Sequence, residues 1–247
     1  PHLARLEGSF AGIDPAGLMR LPTALGLQPE GRSIPDTLKA ALDGSLDGTW
    51  QLDGPLRFGP DDPPIAVALT LARGRLAGQP VSGRLQARMA RAGVRDVVVS
   101  LAAGDARLDA QGALGMPADS LRFRLRAPSM ASLAALSGVA ELASAKGALN
   151  AEGELRGRLD GPALTLQADL DRLDIQGRVR ARTLSLRADL PPSTGALATA
   201  RLALRLDLRD LIVGAVRADR VHLDAEGSIG AHGFTLAVDA PRGSLRA

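Results

Sequence analysis

The chain has 247 residues, a formal net charge of +3 and no cysteine, which excludes a disulfide framework, a thiolate nucleophile and a cysteine metal site. It is 45% hydrophobic but only 2% aromatic, so leucine, valine and alanine supply the apolar surface and rings to stack on bases are lacking. Its arginines alternate with Asp and Glu instead of forming an uncompensated basic stripe, and a nucleic-acid partner is excluded on both grounds.

Leu3 to Ile13 predicts a short strand with Leu6, Gly8, Phe10 and Gly12 in phase. Asp14 and Pro15 open a short helix near residues 15–22, Asp14 as N-cap and Pro15 at the first helical position. Residues 25–35 are loop-like. Leu42, Gly44, Leu46, Gly48, Trp50, Leu52 and Gly54 then share one parity and end at Pro55. Gly59 to Pro64 is a turn. Ile65, Val67, Leu69 and Leu71 form the next apolar set, followed by Val81 to Met89, Val97 to Ala103, Leu108 to Leu114 and Leu121 to Ala127. Ser129 caps a second short helix near residues 129–138.

The stretch Gly147–Gly177 is the most regular. Leu149, Ala151, Gly153, Leu155, Gly157 and Leu159 share one parity, and Asn150, Glu152, Glu154, Arg156, Arg158 and Asp160 share the other. Side chains alternate across a strand, so one face is apolar and one charged. After Asp160-Gly161-Pro162 the alternation restarts as Leu164, Leu166, Ala168 and Leu170, which predicts a hairpin. Strands through Leu184–Leu190, Leu202–Leu208, Val221–Ile229 and Phe234–Val238 complete the chain. Strand glycines such as Gly153 and Gly157 have two readings: bulges and close packing or room for a neighbour to cross, or tight curvature with volume left for an acyl chain.

The unit repeats. Asp53-Gly54-Pro55 matches Asp160-Gly161-Pro162, Leu76-Ala77-Gly78 matches Ile175-Gln176-Gly177, and Leu42–Gly78 is a partial copy of Gly147–Gly177. This divides the chain into residues 1–115 and 116–247, each carrying one short helix. A dozen or more strands at about 4.8 Å each predict a sheet roughly 55–70 Å long, which must curl or be covered. The start at Pro1, in mid-pattern, predicts a piece of a longer chain whose anchor lies elsewhere.

Nothing predicts an enzyme. His2, His222 and His232 lack metal-ligand spacing, Asp61-Asp62 sits in a Pro-rich turn, Ser100 and Ser137 lie in no nucleophile elbow, and the glycines form no phosphate loop. No cofactor is expected.

Gly153 to Leu170, its counterpart Leu42–Gly78 and the two inserted helices resemble the TamB family of the AsmA-like superfamily. The resemblance implies a mostly β fold: a long, curled antiparallel or mixed sheet forming a U-shaped apolar groove, the β-taco, with two short inserted helices. It further implies an internal section of a periplasmic rod anchored in the Gram-negative inner membrane. Such a rod conducts phospholipids toward the outer membrane and supports outer-membrane protein and autotransporter assembly, with a TamA-like outer-membrane partner reached through other regions. The expected groove lining is Leu46, Trp50, Leu52, Val67, Leu69, Leu71, Leu149, Leu155, Leu159, Leu164, Leu166, Leu170, Leu204, Leu206, Leu223 and Leu236, contacted by phospholipid acyl chains. The alternatives are a closed structural or adhesive β-repeat of a surface protein, and a chaperone groove for unfolded β-strands.

Overall fold

The computed structural model describes residues 3–15, 43–55, 63–90, 92–137, 144–159, 161–192, 201–228, 231–241 and 243–246. The strands are β1 (Leu3–Ile13), β2 (Gly44–Pro55), β3 (Ile65–Leu76), β4 (Gln79–Ala90), β5 (Gly93–Ala103), β6 (Ala106–Leu114) and β7 (Ser120–Ala127). The helix α1 (Met130–Ser137) follows. Then come β8 (Ala145–Arg156), β9 (Ala163–Ile175), β10 (Val179–Leu190), β11 (Leu202–Val213), β12 (Val216–Ser228), β13 (Ala231–Ala240) and β14 (Gly243–Arg246).

They form one sheet in strict chain order, and β1 does not pair with β14, so the sheet stays open. Every pair is antiparallel, which removes the mixed alternative. The connections explain this. Tight turns such as Ala77-Gly78 and Gly104-Asp105 can only reverse the chain, whereas parallel neighbours need a long crossover. The repeated Ala77-Gly78 and Gln176-Gly177 pairs take positive φ at both residues, 46° and 78° against 54° and 69°. Positive φ matches the turn to strand twist, and glycine at the second place lowers its steric cost. The hairpin read in Gly147–Gly177 is β8 against β9, with Gly153 opposite Leu166. The division at residue 115 falls between β6 and β7, which pair with each other within the continuous sheet.

Strict alternation fails at bulges. In β9 the apolar side chains occupy even positions through Leu170 and odd positions from Leu173. Arg172, at φ 55°, absorbs the extra residue, and the pairing with β8 shifts between Lys146 and Ala148. Asp96, at φ 49°, does the same in β5 and keeps Val94 and Val97 on one face. A bulge adds one residue to one strand, so it flips side-chain parity from that point on.

Ser129 caps α1 as expected, its hydroxyl accepting the Ala131 N–H at 3.2 Å. Of the helix expected near residues 15–22, only Pro15 belongs to the described residues, and α1 is the one helix traced among them. The rest of that expected helix lies outside the described residues, and the second of the two expected helices is α1.

No large side chain among the described residues is fully buried. The buried apolar set is Val81, Leu114, Met130, Leu170 and otherwise alanines. An alanine is shielded by taller neighbours in the same sheet, whereas a leucine needs a second layer to cover it. Most leucines stay half-buried because the sheet is a single layer.

Gly153 shows how that layer packs. A Cβ placed there would lie 2.5 Å from Phe123 Cζ and 2.5 Å from the Thr165 carbonyl oxygen. The neighbouring ring fills the glycine's space, so of the two readings of this glycine, close packing holds and room for an acyl chain does not. Trp50 and Phe10 lie over Gly8 and Gly48 in the same way. Gly153→Ala is expected to destabilise the protein by about 2 kcal/mol through overpacking, measured by urea unfolding. Gly233→Ala, with nothing within 4 Å of the added carbon, is expected to change stability by no more than about 0.5 kcal/mol.

Candidate functional site

Strand register assembles the apolar side chains into rows that cross the sheet. One row takes a residue from each of β1 to β13: Gly8, Trp50, Leu69, Leu85, Val99, Ala110, Phe123, Gly153, Leu166, Ala188, Leu204, Ala225 and Phe234. The adjacent row runs from Phe10 through Gly48, Leu71, Gly83, Leu101, Leu108, Leu125, Ala151, Ala168, Leu186, Leu206 and Leu223 to Leu236. Neither contains a polar side chain. At about 4.8 Å per strand pair each row is roughly 58 Å long. Directional chemistry is absent from such a surface. It can bind only by burying area, and therefore binds apolar matter without fixing its position.

The residues expected from sequence fall on these rows and their neighbours. Trp50, Leu69, Leu166 and Leu204 stand in the first row; Leu71, Leu206, Leu223 and Leu236 stand in the second. Leu52 and Val67 pair in a third row, which Leu155 and Leu164 continue on β8 and β9. Leu46 opposes Gly74, beyond the bulge in β3. Leu149 and Leu170 also share this face, where Leu170 is buried with Met130 of α1 and Ala145, and Leu133, Leu149, Leu173, Ile175 and Leu184 pack half-buried around them. Leu159 lies past the end of β8, in the loop before β9, and is 54% exposed. The strand ends at Arg156, and the chain leaves the sheet at Gly157, where φ is 90°. Leu85, Val99, Leu101, Phe123, Leu125 and Leu186 complete the rows but were not among the expected lining. Alternation in β4–β7 and β10 was their signal, and register was needed to join it to the rest.

The opposite face is charged. Arg124 meets Glu152 at 3.4 Å and Arg122 meets Glu154 at 3.5 Å across β7 and β8, and Arg205 meets Asp224 at 2.8 Å across β11 and β12. The Arg156 guanidinium beside Glu154 holds that carboxyl below its ordinary value. Such exposed pairs contribute about 0–1 kcal/mol each, so they keep this face wet more than they hold the fold. A concavity of about 950 Å³ opens here, spanning β5 to β10 and lined by Arg122, Arg124, Glu152, Glu154, Gln167 and Arg187. It therefore lies on the face opposite to the expected apolar groove.

His222 on β12 is held by two carboxylates. Its Nδ1 is 2.8 Å from Asp207 of β11 and its Nε2 is 2.7 Å from Asp224. Hydrogen bonds to Asp207 and Asp224 raise its pKa above the ordinary 6.5. The folded state therefore holds this proton more tightly than the unfolded state. The resulting stability is fully present below about pH 6.5 and is lost as pH rises through the raised value. His222→Gln is expected to remove that component. Unfolding midpoints followed from about pH 5.5 to about pH 8.5 check it, because the fall seen in the parent should be missing in the variant.

No group of three or more His, Cys, Asp or Glu side chains placed to hold a metal ion occurs among the described residues. No curated protein and no solved structure matches the chain. The family profile described as TamB, N-terminal domain, matches residues 34–247. That match covers most of the 247 residues and every strand from β2 onward, and the chain belongs to the TamB family.

Proposed function

We propose that this segment conducts phospholipids passively, with alkyl chains on the apolar rows and head groups in water. The observation that carries this reading is the pair of rows running unbroken from β1 to β13, half-exposed and free of polar side chains. Open apolar surface costs about 25 cal/mol per Å² against burial, and a large permanent patch marks a binding surface. The U-shaped β-taco needs the sheet to curl about this face, sheltering the chains and leaving a seam for head groups, whereas the concavity across β5 to β10 lies on the charged face. The segment works by binding alone and is not an enzyme. We place it in the periplasmic part of an inner-membrane-anchored protein, where it supports outer-membrane protein and autotransporter assembly with a TamA-like partner engaged elsewhere.

The closed structural or adhesive repeat is the weaker reading, because a dry core would bury leucines fully and this sheet buries alanines. A photo-crosslinker at Leu166 or Leu69 is expected to give lipid adducts, and the same group at Thr165 or Thr70 on the charged face is not. Equal labelling of both faces, or none on either, sinks the proposal. Peptide adducts in place of lipid would favour the chaperone groove.

A further inference from the structure

We propose that phospholipids enter the apolar rows over the rim where β4, β6 and β8 end, with the Arg95 guanidinium taking the head-group phosphate and Met116 and Leu159 passing the alkyl chains inward. This rests on the lipid reading above. Three strongly exposed apolar side chains stand along this rim: Met89 is 45% exposed, Met116 42% and Leu159 54%. Met89 begins a short row through Val94 to Leu114, on the same face as the long rows. At the opposite ends of β4 to β9, none of the strongly exposed large apolar side chains occurs among the described residues. Those ends carry the Gly104-Asp105 and Gln176-Gly177 turns, and Ser132 of α1 is buried beside Gly104. The two rims of this part of the sheet therefore differ, and only one offers alkyl chains an apolar path to the face.

Backbone hydrogen bonds hold the rim together. The Gly115 N–H donates to the Gly157 carbonyl and the Gly157 N–H to the Asp119 carbonyl, both at 2.9 Å. The Asp119 carboxylate accepts the Met116 N–H at 2.9 Å. Met116 and Leu159 thus stand on loops that are tied to each other. Arg95 supplies the cation. The bulge at Asp96 leaves Arg95 and Asp96 together on the charged side. Arg88 faces Arg95 across the strand pair and takes Asp96 at 3.2 Å. Arg95 has no carboxylate partner among the described residues, and its guanidinium donates to the Met116 sulfur. A thioether is a weak acceptor, so the planar fork of Arg95 keeps its affinity for phosphate. A cation without a counter-ion beside exposed apolar side chains matches an amphipathic phosphodiester. Charge-assisted hydrogen bonds orient its head, and flexible methionines adapt to its chains.

The test uses the full-length protein with a benzophenone side chain at Met116, Leu159 or Leu166, or at the exposed Asp105 of the opposite rim. The probe is a vesicle of phosphatidylethanolamine and phosphatidylglycerol with a trace of diacylglycerol as the phosphate-free reference, and adducts are identified by mass. The expected result is phospholipid adducts at 116, 159 and 166 and none above background at 105. Arg95 is exposed, so Arg95→Gln keeps the fold. It should cut phospholipid adducts at 116 and 159 about tenfold, the loss of one charge-assisted pair, and leave diacylglycerol adducts unchanged. Arg95→Lys should restore part of the loss. Adducts at 166 with none at 116 and 159, or equal yields at 105 and 116, overturn the entry site and leave the lipid reading standing. An Arg95→Gln effect that is absent, or shared by diacylglycerol, overturns the role of the phosphate. Loss of the 116 adducts to inorganic phosphate at the lipid's own concentration marks a free-anion site and overturns it as well. No adduct at any position removes the lipid reading and the entry site with it.

Discussion

Cross-strand register is the constraint on which the rest of this structure depends. A single-layer sheet has no second layer to correct a slip, and a slip of one residue moves a whole strand's apolar set to the charged face. Where a tight turn joins two strands, as at Ala77-Gly78 and Gln176-Gly177, the second strand inherits its register from the first. The bulges at Arg172 and Asp96 belong to the same device. Each flips parity at the point where the sequence itself changes phase, so Leu173 rejoins Leu170 and Val94 rejoins Val97 on the apolar side. The rows are continuous because the irregularities are placed to keep them so.

The small and large residues along the rows follow from that continuity. Three of the four rings in the rows have glycine on the next strand: Trp50 beside Gly8, Phe10 beside Gly48 and Phe123 beside Gly153; the fourth, Phe234, faces Ala225 and stands exposed. The ring lies down in the space the glycine leaves. Between β9 and β10 leucine faces alanine, as in Leu186 beside Ala168 and Leu166 beside Ala188, whereas Leu186, Leu206, Leu223 and Leu236 face one another from β10 to β13. The face is thus levelled from within. The charged face obeys a different rule. Its pairs across β7–β8 and β11–β12 are exposed and individually weak, and they keep water on one side while the other stays apolar.

Much of this was legible in the sequence, and the limits have physical causes. Alternation in Leu164–Leu170 identifies a strand and its apolar face without any knowledge of its neighbours. The Ala77-Gly78 and Gln176-Gly177 turns were visible as a repeat, and Ser129 as a cap. What alternation could not supply was pairing. It put Leu159 in phase with Leu155, yet the strand ends at Arg156 because Gly157 carries the chain out of the sheet. It marked Leu170 as open wall, yet Leu170 is buried beside Met130 of α1, and helix docking is a tertiary fact that local periodicity does not encode. Gly153 could have been read as empty volume, and only the Phe123 ring across the strand boundary shows that it is filled.

The same geometry bears on why the apolar surface is aliphatic. A closed core gains from rings, which bury large areas in fixed orientations. A surface that meets changing apolar matter gains from side chains of similar height and no preferred direction, since hydrophobic burial scales with area and not with alignment. Rings that must be seated over glycines, and leucines that stay half-exposed beside buried alanines, are what a levelled open surface requires. A sandwich interior would instead place leucine against leucine from an opposing sheet about 10 Å away and leave few of them accessible. The exposure pattern of this sheet is therefore an argument about its function as well as about its fold. The sheet's only partner layer among the described residues is one eight-residue helix, whose Met130 is buried beside Ala145 and Leu170.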